Sequence, residues 1–407
     1  MNLKQNRVVV TGLGVVSSIG IGWQDFWKNI IAGKSGISRV ATFDTSNYDR
    51  HCGGEIKNFD AAQFFDKRRI SKFGRVSQMA IAASKLAFDD SKLELSERIR
   101  KKMAVFVGTT TGEINILQYY NDKRFITHRF VPGKNEILTF PASFLSSSIA
   151  QEFRISGSNY VFGTACAAGN YALIEAFNLI KFGKIEYACA GGADQFSRIV
   201  FTGFCRLLSV APEKCQPFDI NRQGMLLGEG AGILILETLE SAKRRGAKIY
   251  SEILGYGLSC DALHMTNPSA ATIAKAIKKA LTMSRARIED VNYISAHGTG
   301  TKENDRAECQ AIKQVFGKYG NKIPMSSIKS MLGHTLGASS ALESIVCCLA
   351  IENGEVPPTI NLQSQDPECE IDCVPNRSRR AKVNLALNNS LAFGGNNACV
   401  ILKKIRE

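Results

Sequence analysis

The sequence predicts an α/β protein built from two similar halves. Three observations predict it. Apolar, β-prone segments alternate with helix-like runs, the order that packs helices on a sheet. The same strand–turn–helix order occurs twice, dividing near residue 246. Each half also holds one run that is apolar on almost every side, Ala167–Phe182 and Ala338–Ile351. A helix without a polar stripe is buried. One from each half should therefore meet at the centre, with their N-termini converging.

The elements pair off in order. Arg7–Leu13 reads as a strand running into a glycine turn, and Ile249–Gly257 is its counterpart. Ser77–Asp90 and Ala271–Met283 carry helical spacing. Met103–Gly108 is a strand followed by Thr109-Thr110-Thr111-Gly112; Val291–Ser295 is a strand followed by His297-Gly298-Thr299-Gly300-Thr301. Tyr160–Gly163, a turn at Cys166 and an apolar helix match Ile323–Ile328, a turn at His334 and the second apolar helix. Glu186–Ala190 before Gly191-Gly192 matches Ala381–Asn388 before Gly394-Gly395. The expected division is an N-terminal half over 1–245 and a C-terminal half over 246–407.

Composition limits the function classes. With 407 residues, 44% hydrophobic and 22% charged, the chain can bury a large core. The N-terminus leads into a strand without a signal-peptide apolar region. No window approaches the roughly 18 uninterrupted apolar residues of a membrane span, so no membrane insertion is expected. The twelve cysteines are scattered, several in apolar segments (Cys189, Cys347, Cys348, Cys399), which suits a reducing cytoplasm. Cys369 and Cys373 lack the second pair or histidine that a zinc site needs, so no metal is expected. Net charge is +14, and basic residues cluster at Lys67-Arg68-Arg69 with Lys72 and Arg75, at Lys123, Arg124 and Arg129, and at Lys243-Arg244-Arg245. Such clusters suit an acidic partner or a solvated surface. No nucleic-acid-binding motif accompanies them.

The chemistry concentrates in three glycine-rich turns. Cys166 sits in Val161-Phe162-Gly163-Thr164-Ala165-Cys166-Ala167-Ala168-Gly169, where a β-prone stretch meets the first apolar helix. A thiol at a helix N-terminus feels the positive end of the dipole and unpaired N–H groups, which favour thiolate. Small neighbours let a substrate carbonyl approach, as at the nucleophile elbow of serine hydrolases. A buried structural cysteine is the plain alternative. Two of the five histidines, His297 and His334, stand at strand ends in similar turns, where side chains are presented rather than packed.

These motifs, with Pro217-Phe218-Asp219, Gly228-Glu229-Gly230-Ala231-Gly232 and Leu391-Ala392-Phe393-Gly394-Gly395-Asn396-Asn397, resemble the β-ketoacyl-acyl-carrier-protein synthases. The resemblance runs along essentially the whole chain and is to the elongating Cys-His-His class. It implies a thiolase-like duplicated fold: five layers, αβαβα, with two buried central helices. It implies a decarboxylative Claisen condensation on acyl carrier protein, with substrates held on a phosphopantetheine arm and no other cofactor. Cys166 would be the nucleophile, and His297 and His334 the donors to an enolate oxygen. Lys329, with Glu343, would support the histidines. Backbone N–H groups of Cys166 and Phe393 would form the oxyanion hole, with Phe393 also gating the acyl pocket. Thr299 and Thr301 would bind the pantetheine arm. Thr111 and Glu113 would line the distal acyl pocket near a dimer interface. Lys67, Arg68, Lys72, Lys123 and Arg124 would dock the acidic carrier. The resemblance implies a cytoplasmic homodimer, or a heterodimer with a homologous chain-length factor.

Departures and rivals are few. Leu332 stands where the family has a threonine, and the C-terminal loop reads Leu391-Ala392-Phe393-Gly394-Gly395-Asn396-Asn397 where the family commonly has Phe-Gly-Phe-Gly-Gly-Thr-Asn. Glu113 is a carboxylate where apolar or glycine residues are usual, and His-Gly-Thr-Gly-Thr is commoner in polyketide ketosynthases. Both a fatty-acid synthase and a specialised polyketide or polyene ketosynthase stay open. Dinucleotide binding fails at Ser17, where Gly12-x-Gly14 needs a third glycine, and a tight turn is the better account. A P-loop fails at Lys28. A thiolase would need a second C-terminal catalytic cysteine, and the initiating synthase class a Cys-His-Asn set. A non-catalytic carrier-binding scaffold or partner subunit is the alternative class; Cys166 itself argues against it.

Overall fold

The computed structural model describes residues 5–127 and 133–405. Ten strands form the framework: β1 Val8–Ser17, β2 Met103–Gly108, β3 Asn159–Phe162, β4 Tyr187–Asp194, β5 Gly230–Thr238, β6 Ser251–Cys260, β7 Tyr293–Ser295, β8 Met325–Ser326, β9 Leu385–Leu391 and β10 Asn396–Lys403. The first five lie in the order β3-β2-β4-β5-β1 and the second five in the order β8-β7-β9-β10-β6. Directions repeat as well. β2 is parallel to β3 and β4, while β5 runs antiparallel to β4 and β1. β7 is parallel to β8 and β9, while β10 runs antiparallel to β9 and β6. Each strand of the first set thus has its counterpart five later, which is the duplication the sequence implied. A short antiparallel contact, Val8↔Ile253 to Val10↔Ser251, joins the two sets.

The main helices are α1 Arg75–Ser91, α2 Ile114–Thr127, α3 Phe144–Phe153, α4 Ala168–Lys181, α5 Arg198–Arg206, α6 Ala270–Ser284, α7 Lys302–Phe316 and α8 Ser339–Asn353. α1 and α3 cover the outer face of the first set of strands; α6 covers that of the second and packs on α7. α4 and α8 lie between, in a single core drawing Phe177 and Ile180 from one and Ile345 and Val346 from the other. Five layers result. The segment Leu336–Asn353 is apolar enough to cross a membrane by composition, but 89% of it is buried in this core. The N-termini of α4 and α8 abut: Asn170 N–H donates to Ser340 Oγ at 2.9 Å, and Asn388 Nδ2 donates to Asn170 Oδ1 at 3.1 Å and Ser344 Oγ at 2.8 Å.

One expectation is corrected in both halves. Gly12-Leu13-Gly14 is not a strand-to-helix turn; β1 runs straight through it to Ser17. A Cβ on Gly14 would lie 1.8 Å from the carbonyl oxygen of Ala83 in α1, and one on Gly257 in β6 would lie 1.8 Å from that of Ala276 in α6. The glycines let an outer helix rest directly on its sheet.

Candidate active site

A cavity of about 620 Å³ opens where the two halves meet, and Cys166, His297, Thr299, Thr301, His334 and Phe393 all line it. Residues more than a hundred positions apart are thus gathered by the converging helices.

Cys166 lies in a tight turn, Ala165–Ala167, between β3 and α4. Ala165 adopts φ 47, a left-handed conformation that L-residues hold only when their surroundings fix them. Cys166 is 5% exposed. Burial pushes it up to about 11 and Asp194 adds to the rise; Lys329 and the backbone N–H groups of Phe393 and Cys166 pull it down. The favourable helix end is therefore present, but desolvation outweighs it, and the resting group is a thiol rather than the expected thiolate. Those two N–H groups converge on the sulfur, where an oxyanion hole would have to be.

The second half contains the matching turn, Leu336–Ala338, leading into α8, with Leu336 at φ 53. Cys166 therefore corresponds to Gly337, not to His334 as the sequence pairing had it. His334 precedes the turn. Its Nδ1 accepts from the Leu336 N–H at 3.1 Å and lies 2.9 Å from Ser339 Oγ. With Nδ1 an acceptor, the ring proton sits on Nε2. His297 and His334 lie with ring centroids 5.3 Å apart, edge to face. Burial, reinforced by Lys329, pushes both well below the usual imidazole range, so both are neutral. The far nitrogen of His334 is thus held by neighbours, whereas His297 Nδ1 is buried with no hydrogen-bond partner among the described residues.

Lys329 is buried beneath the pair. Its ammonium donates to the His297 carbonyl at 2.6 Å and to Glu343 Oε1. Burial pushes Glu343 up to about 7, with Lys329 opposing the rise. Thr299 and Thr301 hydroxyls lie 2.9 Å apart on the cavity wall. The Phe393 ring stacks on Phe204 with centroids 5.3 Å apart. Gly394 and Gly395 follow at φ 82 and 79, in the turn that leads from β9 into the antiparallel β10.

Thr111 and Glu113 do not line this cavity. Glu113 is buried and points at the start of α1, accepting from Ser77 N–H at 2.8 Å and Val76 N–H at 3.3 Å. It is neither an exposed loop residue nor a carboxylate in an apolar tunnel: a helix N-terminus satisfies it. Thr111 bonds Asp194 through both its N–H and its hydroxyl.

The five basic residues expected to dock a partner lie outside the cavity. Lys67, Lys72, Lys123 and Arg124 are exposed, and Lys123 rests over the Tyr119 ring at 4.5 Å. Arg68 is also exposed but pairs with Asp66 at 2.8 Å. Neighbouring Arg69 and Arg75 are tied to Glu152 and Glu229 within the fold. Arg129 lies outside the described residues.

Sequence reasoning missed three groups. Glu308 accepts from the N–H groups of His297 and Gly298, both at 2.8 Å, and from Asn389 Nδ2 at 2.6 Å. Arg222 donates to the Thr301 carbonyl at 3.3 Å and to Asp366 at 2.5 Å, bracing the loop that carries the threonines. Asp194 spans both halves. Glu308 and Arg222 sit close after recognisable motifs, His297–Thr301 and Pro217–Asp219, and that proximity was the available signal for each; both lie among other polar residues, which hid them.

Residues 5–242 match the profile of the β-ketoacyl synthase N-terminal domain, and residues 250–363 that of the C-terminal domain. The 3-oxoacyl-[acyl-carrier-protein] synthase 2 of Synechocystis sp. is 40% identical over 415 residues, covering 99% of each chain. That of Staphylococcus aureus is 36% identical over 417 residues, again 99% of each. Among solved structures, the ishigamide ketosynthase/chain length factor superposes with TM-score 0.96 at 41% identity, covering 99% of this chain and 100% of that one. A type II polyketide synthase acyl-carrier protein in complex with its ketosynthase, bound to the hexaketide, gives TM-score 0.90 at 32% identity over 99% and 100%.

Proposed function

Because the chain belongs to the β-ketoacyl synthase family, we propose that it condenses an acyl group held on Cys166 with malonyl-acyl-carrier-protein, in fatty-acid or polyketide synthesis. One observation carries the residue roles. A single cavity holds a thiol faced by two backbone N–H groups and a pair of neutral imidazoles.

In the first half-reaction the Cys166 sulfur attacks the acyl thioester. Its proton leaves with the departing pantetheine sulfur, so the half-reaction begins and ends without net charge on sulfur in the buried site. The tetrahedral oxyanion accepts from the N–H groups of Cys166 and Phe393, a kind of contact worth several kcal/mol in a water-poor pocket. In the second, malonyl thioester loses carbon dioxide. The electron pair of that C–C bond forms an enolate, whose oxygen accepts from His334 Nε2–H and from His297. Neutral donors suit this step, because they carry no proton acidic enough to quench the carbanion. The enolate carbon then attacks the acyl-Cys166 carbonyl, and collapse returns the sulfur and releases a β-ketoacyl thioester two carbons longer. Lys329 and Glu308 hold the His297 backbone from opposite sides. Thr299 and Thr301 offer hydroxyls to the pantetheine arm, and Phe393 moves off Phe204 to admit the acyl chain. Thiol and imidazoles supply all the chemistry, so the phosphopantetheine arm is the one prosthetic group the reaction needs.

The partners are acyl carrier protein, reached through Lys67, Arg68, Lys72, Lys123 and Arg124, and a second ketosynthase-like chain. The exposed edge strand β3, with Tyr160 55% exposed, offers an unpaired ladder for that chain. A homologous, non-identical partner is favoured by the similarity to a ketosynthase/chain length factor. The enzyme would work in the cytoplasm. Intact-mass analysis after incubation with acyl-carrier thioesters tests the reading. The wild type should gain the acyl mass and Cys166→Ala should not; acylation of Cys166→Ala, or its retention of condensation, would refute the nucleophile.

A further inference from the structure

Asp194, the last residue of β4, is fully buried and has no ion pair among the described residues. It is held by hydrogen bonds alone. Oδ1 accepts from the Thr109 hydroxyl at 2.8 Å, the Thr111 N–H at 3.1 Å and the Thr111 hydroxyl at 3.2 Å. Oδ2 accepts from the Thr110 N–H at 2.6 Å and, across the divide between the halves, from the Gly337 N–H at 2.7 Å. Five donors on two oxygens satisfy the buried carboxylate without a counter-ion, and the last of them touches the active site's geometry. Gly337 is the centre of the Leu336–Ala338 turn, the counterpart of the Cys166 turn. It can carry no side chain: a Cβ there would lie 2.7 Å from Asp194 Oδ2 and 2.7 Å from Thr109. The carboxylate occupies the space that a second nucleophile would fill.

We propose that Asp194 is a positioning residue for His334, acting through the Leu336–Ala338 turn. Leu336 is held at φ 53, a conformation a leucine keeps only under restraint. Its own N–H is the donor to His334 Nδ1. Anchoring the next N–H, that of Gly337, on Asp194 aims the Leu336 N–H at the imidazole. That aim fixes Nδ1 as acceptor and Nε2 as donor. Without the anchor the turn relaxes, the ring rotates or changes tautomer, and the enolate loses a donor while the sulfur keeps its own N–H partners. The Asp194 carboxylate is thus read as a link from the β4 end to the proton position on His334.

The inference rests on the proposed enolate role of His334, and the test separates the two. Asp194→Asn keeps the shape but sets an NH₂ against at least one backbone N–H in either orientation. Malonyl-carrier decarboxylation, acyl loading of Cys166 and thermal stability are measured for Asp194→Asn, Asp194→Ala, His334→Ala and the double variant Asp194→Asn/His334→Ala. Asp194→Asn should lower decarboxylation by about ten- to a hundredfold, less than the roughly hundred- to thousandfold cost of losing an oxyanion donor outright, because the imidazole is misaimed rather than removed. Loading should change by less than about threefold, and the double variant should fall no further than His334→Ala alone, as residues acting as a unit do. Asp194→Ala, which removes the acceptor of the Gly337 N–H without adding volume, should repeat the pattern and carries the test if Asp194→Asn does not fold. Multiplied losses in the double variant, or loading falling in step with decarboxylation, would overturn the proposal. Wild-type decarboxylation by His334→Ala would instead overturn the enolate reading beneath it.

Discussion

A resting thiol near 11 makes a demanding prediction about Cys166. At pH 7.5 such a group is thiolate about once in 3,000 molecules, whereas an ordinary thiol near 8.5 is about one-tenth ionised. The deficit is about 300-fold. A more basic thiolate is a better nucleophile, and with a Brønsted slope of about 0.4–0.5 the gap of about 2.5 units recovers about tenfold. Alkylation of Cys166 by iodoacetamide at pH 7.5 should therefore run about 30-fold slower than that of a free thiol, before any steric barrier. The perturbation is pH. Raised between 7 and 10, it should increase the rate about tenfold per unit with no plateau, because protonation persists until pH passes the folded-state value. Lys329→Ala, which removes the largest charge pulling that value down, should move the curve to still higher pH. The assay is peptide-resolved mass spectrometry, since the other eleven cysteines would obscure a bulk measurement. A plateau by about pH 8 would refute the reasoning. It would mean that the helix end and Lys329 outweigh burial and that the enzyme rests as an activated thiolate. The expected result instead places activation in the bound complex, where the substrate carbonyl meets the two N–H groups as the proton leaves.

Other perturbations discriminate as sharply. His297→Ala and His334→Ala should each depress malonyl decarboxylation strongly while leaving acylation of Cys166 closer to normal; equal effects on both steps would refute the enolate role. Burial holds Glu343 near 7, so below that pH it takes up a proton and Lys329 loses its counter-charge. Activity should fall on the acid side with an apparent value near 7, and Glu343→Gln should flatten that limb, as followed by the pH profile of condensation. Glu113→Ala removes the acceptor for two N–H groups at the start of α1 and should cost about 1–2 kcal/mol in urea unfolding, without altering chain-length preference. A changed preference would restore the acyl-pocket reading. Charge reversal at Lys67 or Lys72, exposed and without ion pairs among the described residues, should raise KM for the protein carrier and spare a small pantetheine thioester. Reversal at Arg68, already paired with Asp66, should do less, and added salt should weaken carrier use in the wild type.

What local chemistry writes into a chain was legible in the residues. Strand and helix periods, the two stripe-less helices and the glycine-flanked Cys166, His297 and His334 all come from near-neighbour patterns, and their repetition exposed the duplication. Gly12 and Gly14 were visible too, but their meaning was not. A glycine that ends a strand and one that admits a helix carbonyl at close range look alike until α1 is in place. Glu113 shows the same limit: whether a carboxylate faces a tunnel, solvent or a helix end depends on α1, which begins about forty residues earlier in the chain. The correspondence of Cys166 with Gly337 rather than His334 required the superposed turns. Protonation states lay furthest from the sequence. The dipole at Cys166 could be read from position, but the desolvation that outweighs it is the summed effect of every layer packed around the sulfur. The partners that fix His334's tautomer and Asp194's charge likewise come from elements joined only by the fold. Burial and the direction of a hydrogen bond belong to the tertiary structure, because dielectric and geometry are set by all neighbours at once and not by those adjacent along the chain.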